Sequence, residues 1–165
     1  MSGGTMKTPG KLRVRHSPIA SKDRINHNYV RNEIHRRKKI MKEFKVYRCN
    51  KCKKLHIEVQ GSPCPTMCCG EEMVLLKANT TDAAAEKHVP AVTVYGQKVI
   101  VNVGSVDHPM LEEHYIQFVA LETAGGIQVR YLNPGEAPHA EFLTEEAPVA
   151  VYEYCNLHGL WKSEL

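Results

Sequence analysis

The chain has 165 residues, of which 42% are hydrophobic and 24% are charged. This length allows one hydrophobic core or two small ones, and the composition is that of a globular protein, so disorder of the whole chain is excluded. No run of 18 apolar residues is present and the N-terminus has no apolar stretch, so we expect neither a membrane span nor an ordinary secretory signal.

Charge is divided unevenly along the chain. Residues 1–45 contain 13 Lys and Arg against 3 Asp and Glu, whereas the remainder contains 9 against 15. We therefore predict a basic N-terminal extension over residues 1–44, with a weak helical stripe of apolar residues from Asn28 to Phe44. A solvated, partly helical tail is the simplest interpretation. Because this tail carries Arg36-Arg37-Lys38-Lys39, binding of nucleic acid, or docking on an acidic protein surface, remains an alternative.

Residues 45–80 are predicted to form a small metal-binding domain. Five of the six cysteines lie between Cys49 and Cys69, in a Cys-x-x-Cys and a Cys-Cys motif. This pattern is typical of metal thiolates in a reducing cytoplasm, and not of a secreted disulfide scaffold. A segment this short cannot bury a sufficient core, and a bound metal commonly takes that role. Alternating residues predict short strands at 45–48, 55–59 and 73–76.

The predicted ligands of this first metal, the four-cysteine site, are Cys49, Cys52, Cys68 and Cys69. The Cys-x-x-Cys motif brings two thiolates onto one tight turn, but adjacent cysteines on an extended strand point to opposite faces. Cys68 and Cys69 therefore meet at one ion only if the backbone turns sharply, which Gly70 permits. Four thiolates give a tetrahedral site suited to iron or zinc. A set in which Cys64 replaces one of the adjacent pair is the alternative.

Residues 81–165 are predicted to be all β. Short runs of alternating apolar and polar residues are separated by turn signals such as Tyr95-Gly96-Gln97 and Asn133-Pro134-Gly135. The predicted strands are 91–94, 98–103, 115–122, 127–131, 141–143 and 148–154. Regularly spaced short strands of this kind indicate an antiparallel sandwich or barrel.

Four histidines and one cysteine of this β segment form a second candidate ligand set, the histidine–cysteine site: His88, His108, His114, Cys155 and His158. A thiolate with imidazoles suits a mononuclear transition metal, and five protein ligands leave one octahedral position open to a small molecule. Six residues of extended strand would separate His108 from His114 by about 20 Å. Both bind one ion only if the chain loops back between them.

Four sequence strings resemble a known family. Cys49-x-x-Cys52 followed by Cys68-Cys69-Gly70 is similar to desulforedoxin, a small rubredoxin-like iron module. E-K-H-V-P at 86–90, H-P-M-x-x-x-H-Y-I at 108–116 and C-N-x-H-G-x-W-K at 155–162 resemble the two-iron, desulfoferrodoxin type of superoxide reductase. The resemblance covers about residues 45–165 in the family's order. The basic extension and the Pro63-Cys64-Pro65 loop depart from the family pattern.

The resemblance implies both an architecture and an activity. The implied fold is mainly β, with an immunoglobulin-like antiparallel sandwich over 81–165 preceded by the desulforedoxin-like domain over 45–80. Two irons per chain are implied, one as Fe(Cys)4 and one as Fe(His)4(Cys), the latter with four equatorial histidines and Cys155 as the axial ligand. The implied activity is one-electron reduction of superoxide to hydrogen peroxide in antioxidant defence. A rubredoxin-like electron donor, a homodimer and a cytoplasmic location are implied with it.

Glu86 and Lys87 are the expected catalytic residues beside the open position. The family suggests that the Glu86 carboxylate closes the sixth position of the ferric site. Residues 46–165 carry a net charge of −6 and repel superoxide at long range, so a local cation such as Lys87 must attract the anion. Solvated turn residues are the alternative interpretation of both.

Two other functions are compatible with parts of the sequence. A pure electron carrier would use the four-cysteine site, but it leaves four histidines beside an open position unexplained. A DNA-binding redox regulator would combine the basic tail with a metal site that senses the redox state. Peroxide formation from superoxide, and salt-dependent DNA binding lost on deletion of residues 1–44, distinguish the three functions.

Overall fold

The computed structural model describes residues 43–165. These residues fall within one compact unit. The predicted basic extension, with its helical stripe, lies outside the described residues except for Glu43 and Phe44 at its end. Within the described part of the chain, no helix is long and apolar enough to cross a membrane.

Strands dominate the described residues, which contain a single turn of helix. The strands are β1 (Lys45–Arg48), β2 (Leu55–Glu58), β3 (Met67–Cys68), β4 (Glu71–Glu72), β5 (Val74–Leu75), β6 (Pro90–Tyr95), β7 (Lys98–Val103), β8 (Ile116–Thr123), β9 (Ile127–Tyr131), β10 (His139–Leu143), β11 (Pro148–Cys155) and β12 (Gly159–Glu164), and the helix is α1 (Ala85–His88). Most of the longer strands are rich in Val, Ile, Tyr and Phe, which suit a pleated and half-buried surface.

The metal-binding segment contains two small sheets. β1 is the centre of a three-stranded antiparallel sheet of order β2-β1-β5, and β3 pairs with β4. The strands predicted at 45–48 and 55–59 match β1 and β2. β3 and β4 were not predicted, because two residues are too few to give a recognisable period.

Two antiparallel sheets pack face to face to form the larger body. One has the order β10-β7-β6 and the other the order β12-β11-β8-β9. Their inner faces share one core, in which Val101, Val119 and Val151 are fully buried. The predicted mainly β fold, with an immunoglobulin-like antiparallel sandwich, is confirmed.

The outer face of the four-stranded sheet is buried as well. Phe118 and Tyr152 of that face share a second hydrophobic cluster with Phe44 and Val46. The rings of Phe44 and Tyr152 lie 4.8 Å apart, centroid to centroid. The metal-binding segment is therefore packed onto the sandwich as well as linked to it by the chain. Burial of a side chain such as Val46 contributes about 1.5–3 kcal/mol to stability.

β6 to β11 lie within two residues of the strands predicted for them. β12 was not predicted. Its adjacent residues Leu160 and Trp161 are both buried, because both faces of the sheet are covered at that point. The alternation of apolar and polar residues by which strands are recognised is therefore lost there. α1 replaces the simple turn expected around Glu86.

Candidate metal centres

The predicted ligands of the histidine–cysteine site come together at one end of the sandwich. His88 ends α1, His108 and His114 lie between β7 and β8, Cys155 ends β11, and His158 lies in the turn before β12. One ligand atom of each residue lies within 4.8 Å of all the others. Loops that connect different strands thus supply the five side chains from one edge of a rigid core.

The four imidazole rings form a closed square. Neighbouring ring centroids lie 4.6–4.8 Å apart in the order His88, His108, His114, His158, and each ring stands at 74–85° to the next. The chain loops back between His108 and His114, as the sequence required, and an isolated antiparallel bridge joins Leu111 to His114. His88 and His108 are each 2% exposed, whereas His114 and His158 are partly exposed. Solvent therefore reaches the square from the His114–His158 side.

Hydrogen bonds orient two of these rings for metal binding. His88 Nδ1 donates to Ala84 O over 2.8 Å, and His108 Nδ1 donates to Pro109 O over 2.6 Å. A carbonyl oxygen only accepts, so each Nδ1 carries the proton and each Nε2 keeps its lone pair. Such outer hydrogen bonds are the usual support of a metal-ligating histidine. His158 presents Nδ1 instead, 3.0 Å from His88 Nε2.

Two ring nitrogens are left without partners in the described residues. His108 Nε2 and His114 Nε2 are buried and make no hydrogen bond. A buried polar atom in that state costs about 1–3 kcal/mol, which a metal ion bound to its lone pair removes. Burial lowers the pKa of His108 to about 4, and it also lowers the pKa of His88 and of His114. Burial thereby favours the neutral form of these three imidazoles, which is the metal-binding form. The residues fit a transition metal.

Cys155 is fully buried next to this square. Its Sγ is 3.5 Å from His158 Nδ1. Burial raises the pKa of the Cys155 thiol, while hydrogen bonds from the backbone amides of His158 and Leu157 lower it. Two amides aimed at the sulfur stabilise a thiolate, but the buried anion also needs a cation beside it.

Trp161 covers the buried side of the site. Its ring stacks on His88 at 4.8 Å with an interplanar angle of 24°, and its Nε1 donates to His158 O over 3.2 Å. The residue belongs to β12, so the strand that the sequence did not predict fixes two of the ligands. Trp161 stands in the C-N-x-H-G-x-W-K string, but the string by itself gave it no role.

Glu86 and Lys87 are exposed on α1, beside the ligands. Burial is the main cause that lowers the pKa of His114, and the Lys87 ammonium lowers it further by a smaller amount. The Glu86 carboxylate raises the pKa of His88, against the larger effect of burial. The field of both charges therefore reaches ligand rings of the site, although neither side chain makes a hydrogen bond or ion pair with a ligand atom among the described residues.

A glycine that the sequence did not single out fixes the turn of α1. Gly104 has φ +82°, and a Cβ at that position would lie 2.5 Å from Val106 O and 2.6 Å from Glu86 O. Val106 N donates to Glu86 O over 3.0 Å, and Ser105 Oγ donates to the same oxygen over 3.3 Å. The end of β7 thus holds the Glu86–His88 turn in place.

The four-cysteine site is also assembled. One sulfur each of Cys49, Cys52, Cys68 and Cys69 lies within 4.8 Å of the others. The Sγ of Cys68 is 3.7 Å from that of Cys52 and 3.8 Å from that of Cys69. Cys69 has φ 51° and Gly70 has φ 78°, so the sharp turn expected at Gly70 begins one residue earlier. Cys64 is exposed and lies outside this group.

The pKa values of Cys49, Cys68 and Cys69 are shifted in opposite directions. The backbone amide of Cys52 is the main cause that lowers the pKa of Cys49 to about 7. Hydrogen bonding to the Cys52 sulfur is the main cause that raises the pKa of Cys69 to about 12 and also raises that of Cys68. Four thiolates therefore do not coexist here at neutral pH without a cation, and the donor set fits iron or zinc.

Glu153 is a buried acid that sequence reasoning missed. It is fully buried, and neither carboxylate oxygen has a hydrogen-bond partner in the described residues. Burial raises its pKa well above the usual value. It pairs across the strands with Val119 and Trp161. An acid within a run of alternating residues resembles an ordinary exposed position, so no local signal marks it.

Comparison with known proteins gives a consistent result. A family model described as Desulfoferrodoxin matches residues 80–164. A desulfoferrodoxin of Syntrophotalea carbinolica is 45% identical over 122 residues, which cover 74% of this chain and 97% of that protein. A superoxide reductase of Pyrococcus horikoshii is 32% identical over 103 residues, which cover 51% of this chain and 90% of that protein.

Among solved structures, the superoxide reductase from Treponema pallidum has a similar fold. The TM-score is 0.64 and the sequence identity is 38%, with 74% of this chain and 100% of that chain covered.

Proposed function

Because the chain belongs to the desulfoferrodoxin family, we propose that it is a superoxide reductase. In this reaction superoxide takes up one electron and two protons and leaves as hydrogen peroxide, with no oxygen formed. The observation that carries the proposal is the closed square of four imidazoles beside one buried thiol, with two of the four rings partly exposed to solvent. An electron carrier needs no such site.

In this proposal His88, His108, His114, His158 and Cys155 would hold the catalytic iron. The unpartnered Nε2 atoms of His108 and His114 support this assignment. Iron bound there supplies the electron, and five protein ligands leave a sixth position for the substrate. The amides of Leu157 and His158 hydrogen-bond the Cys155 sulfur and so moderate how strongly it donates to the metal.

Lys87 and Glu86 have proposed roles at the solvent side. The Lys87 ammonium attracts superoxide to a body whose net charge is −6 over residues 46–165. The Glu86 carboxylate would supply an internal anion beside the oxidised iron. Both side chains are exposed, and the backbone at Gly104 packs closely against the turn that carries them. These two observations support both roles.

The four-cysteine site is proposed to hold a second iron that stores one electron. Four sulfurs complete a tetrahedral set, so this site has no position for a substrate. A rubredoxin-like electron donor, a homodimer, a cytoplasmic location and a boundary between two domains at residues 80 and 81 complete the proposal.

The test uses the iron-loaded full-length chain. Pulse radiolysis should give a fast second-order reaction with superoxide, and product analysis should give one hydrogen peroxide for each superoxide and no oxygen. Metal analysis should find about two irons per chain and little zinc. Oxygen evolved with half as much peroxide would indicate dismutation, and one iron with stoichiometric zinc would remove the redox role of the first site.

A further inference from the structure

Asn156 joins the loop that carries His114 to the turn that carries Cys155 and His158. Its Oδ1 accepts from Tyr115 N over 3.0 Å, and its Nδ2 donates to Glu113 O over 2.9 Å. Its backbone N donates to Tyr115 O over 3.1 Å. The two residues that Asn156 holds, Glu113 and Tyr115, are the immediate neighbours of His114 on either side.

His114 depends on this backbone support more than the other imidazoles. The rings of His88 and His108 are fixed by hydrogen bonds to carbonyl oxygens. Within residues 43–165, the His114 ring makes no hydrogen bond, and its buried Nε2 is unpartnered. His114 is also one of the two partly exposed rings. Its direction is therefore set by the peptide units on both sides of it.

We propose that Asn156 is a positioning residue that fixes His114 against Cys155 and so keeps the fourth imidazole on the metal. This inference rests on the proposed function in one respect, since it takes His114 as an iron ligand. Because Asn156 directly follows Cys155, the side chain ties an equatorial ligand to the axial ligand through one residue. The amide supplies both a donor and an acceptor, which is what the carbonyl of Glu113 and the N–H of Tyr115 require.

Asn156→Ala removes the side-chain hydrogen bonds to Tyr115 N and Glu113 O, together with the 3.9 Å contact between Oδ1 and Cys155 Sγ, and leaves the backbone bond to Tyr115. Outer-shell groups that orient a metal ligand typically contribute about 10–100-fold in metal affinity. We expect iron release from the histidine–cysteine site to a chelator to become about 10–100-fold faster, and the ferric electron paramagnetic resonance signal to change. The four-cysteine site should release its iron at the unchanged rate and serves as an internal reference.

Asn79→Ala is the matched control. Asn79 Nδ2 donates to Lys162 O over 3.0 Å, and Asn79 Oδ1 accepts from Lys162 N over 2.8 Å. This variant loses the same two kinds of hydrogen bond away from the ligand loops. It should lower the melting temperature as Asn156→Ala does, while iron release and the ferric signal stay as in the original protein. The same change in iron release in both variants would overturn the proposal.

A double-mutant cycle tests whether Asn156 acts through His114. His114→Ala should itself alter the ferric signal and speed iron release. Adding Asn156→Ala to His114→Ala should then change neither further. An equal additional effect would show that Asn156 acts elsewhere, and it would overturn the positioning role while the proposed function stands. An unchanged ferric signal in His114→Ala would instead refute the ligand assignment itself.

Asn156→Asp keeps the test valid if Asn156→Ala does not fold. The carboxylate accepts from Tyr115 N but cannot donate to Glu113 O, so one of the two side-chain hydrogen bonds survives. Iron release should lie between that of the original protein and that of His114→Ala. Release as slow as in the original protein would contradict the proposal.

Discussion

The two metal sites of this chain are assembled in opposite ways. The four-cysteine site takes its ligands from residues 49–69, and local turns with two left-handed residues, Cys69 and Gly70, bring them together. The histidine–cysteine site joins nitrogens of His88 and His158, which are 70 residues apart in the chain. The first site depends on local backbone geometry, whereas the second depends on the whole sandwich.

The two candidate sites also differ in how exposed their ligands are and in how many ligands they have. Cys52 and Cys69 are exposed, while His88, His108 and Cys155 are buried. Four sulfurs close a tetrahedral site, but five ligands leave an octahedral position open. An open position needs ligands that cannot shift to fill it, and a packed core provides that rigidity. This difference explains why the proposed substrate site lies in the larger body and the closed site lies in the small segment.

Cys155→Ser should have the largest effect, because serine does not replace a soft thiolate ligand. We expect the reaction with superoxide in pulse radiolysis to slow by at least about 100-fold, beyond the usual loss from an outer-shell group. Cys64→Ser is the matched control, since Cys64 is exposed and outside both ligand groups. Equal rates in the two variants would contradict a catalytic role of Cys155.

Cys52→Ser tests the other half of the comparison. It should remove iron from the four-cysteine site and lower the melting temperature by several degrees, because a structural metal contributes folding free energy. The second-order reaction with superoxide should stay unchanged, since this site offers no position to a substrate. Loss of the fast reaction in a folded variant that keeps iron in the histidine–cysteine site would contradict this prediction. It would mean that the reaction with superoxide needs both sites.

Gly104→Ala measures how far the sandwich supports the second site. Gly135 is the matched control, because it has φ +80° and nothing within 4 Å of an added Cβ, whereas the Cβ at Gly104 would meet Val106 O at 2.5 Å. Gly135→Ala should cost about 1–2 kcal/mol for the left-handed backbone alone. Gly104→Ala should cost more in urea unfolding and should speed iron release from the histidine–cysteine site only. Equal losses of unfolding free energy in the two variants would mean that the turn of α1 shifts to accommodate the added methyl group.

Lys87→Ala should have the smallest effect, about tenfold on the capture of superoxide, since it removes one attracting charge. In the original protein the capture rate should decrease with added salt, whereas in Lys87→Ala it should stay constant or increase. Glu86→Ala should leave the capture rate as it is and change the ferric spectrum and its response to added anions. Unchanged rates and spectra in both variants would make these two residues ordinary solvated turn residues.

Most of the sandwich and both ligand groups were accessible from local patterns. Alternating apolar and polar residues predicted β6 to β11, and in β7 and β10 this pattern follows the alternation of buried and more exposed side chains. The same patterns failed at β12, where Leu160 and Trp161 are both buried, and at Glu153, whose side chain is enclosed although its type suggests exposure. A second covered face removes the contrast between apolar and polar positions on which the prediction depends.

The amino-acid sequence alone predicted the candidate ligands, their grouping into two sets and the need for a sharp turn at Gly70. Thiols, imidazoles and glycine have fixed chemistry and conformational range wherever they stand, so their spacing carries that information. Only the tertiary structure decided that four rings form a square, that Trp161 stacks on His88 and that Asn156 holds the neighbours of His114. These contacts join residues from different strands, and their distances depend on the packing of the sheets, which no local pattern records.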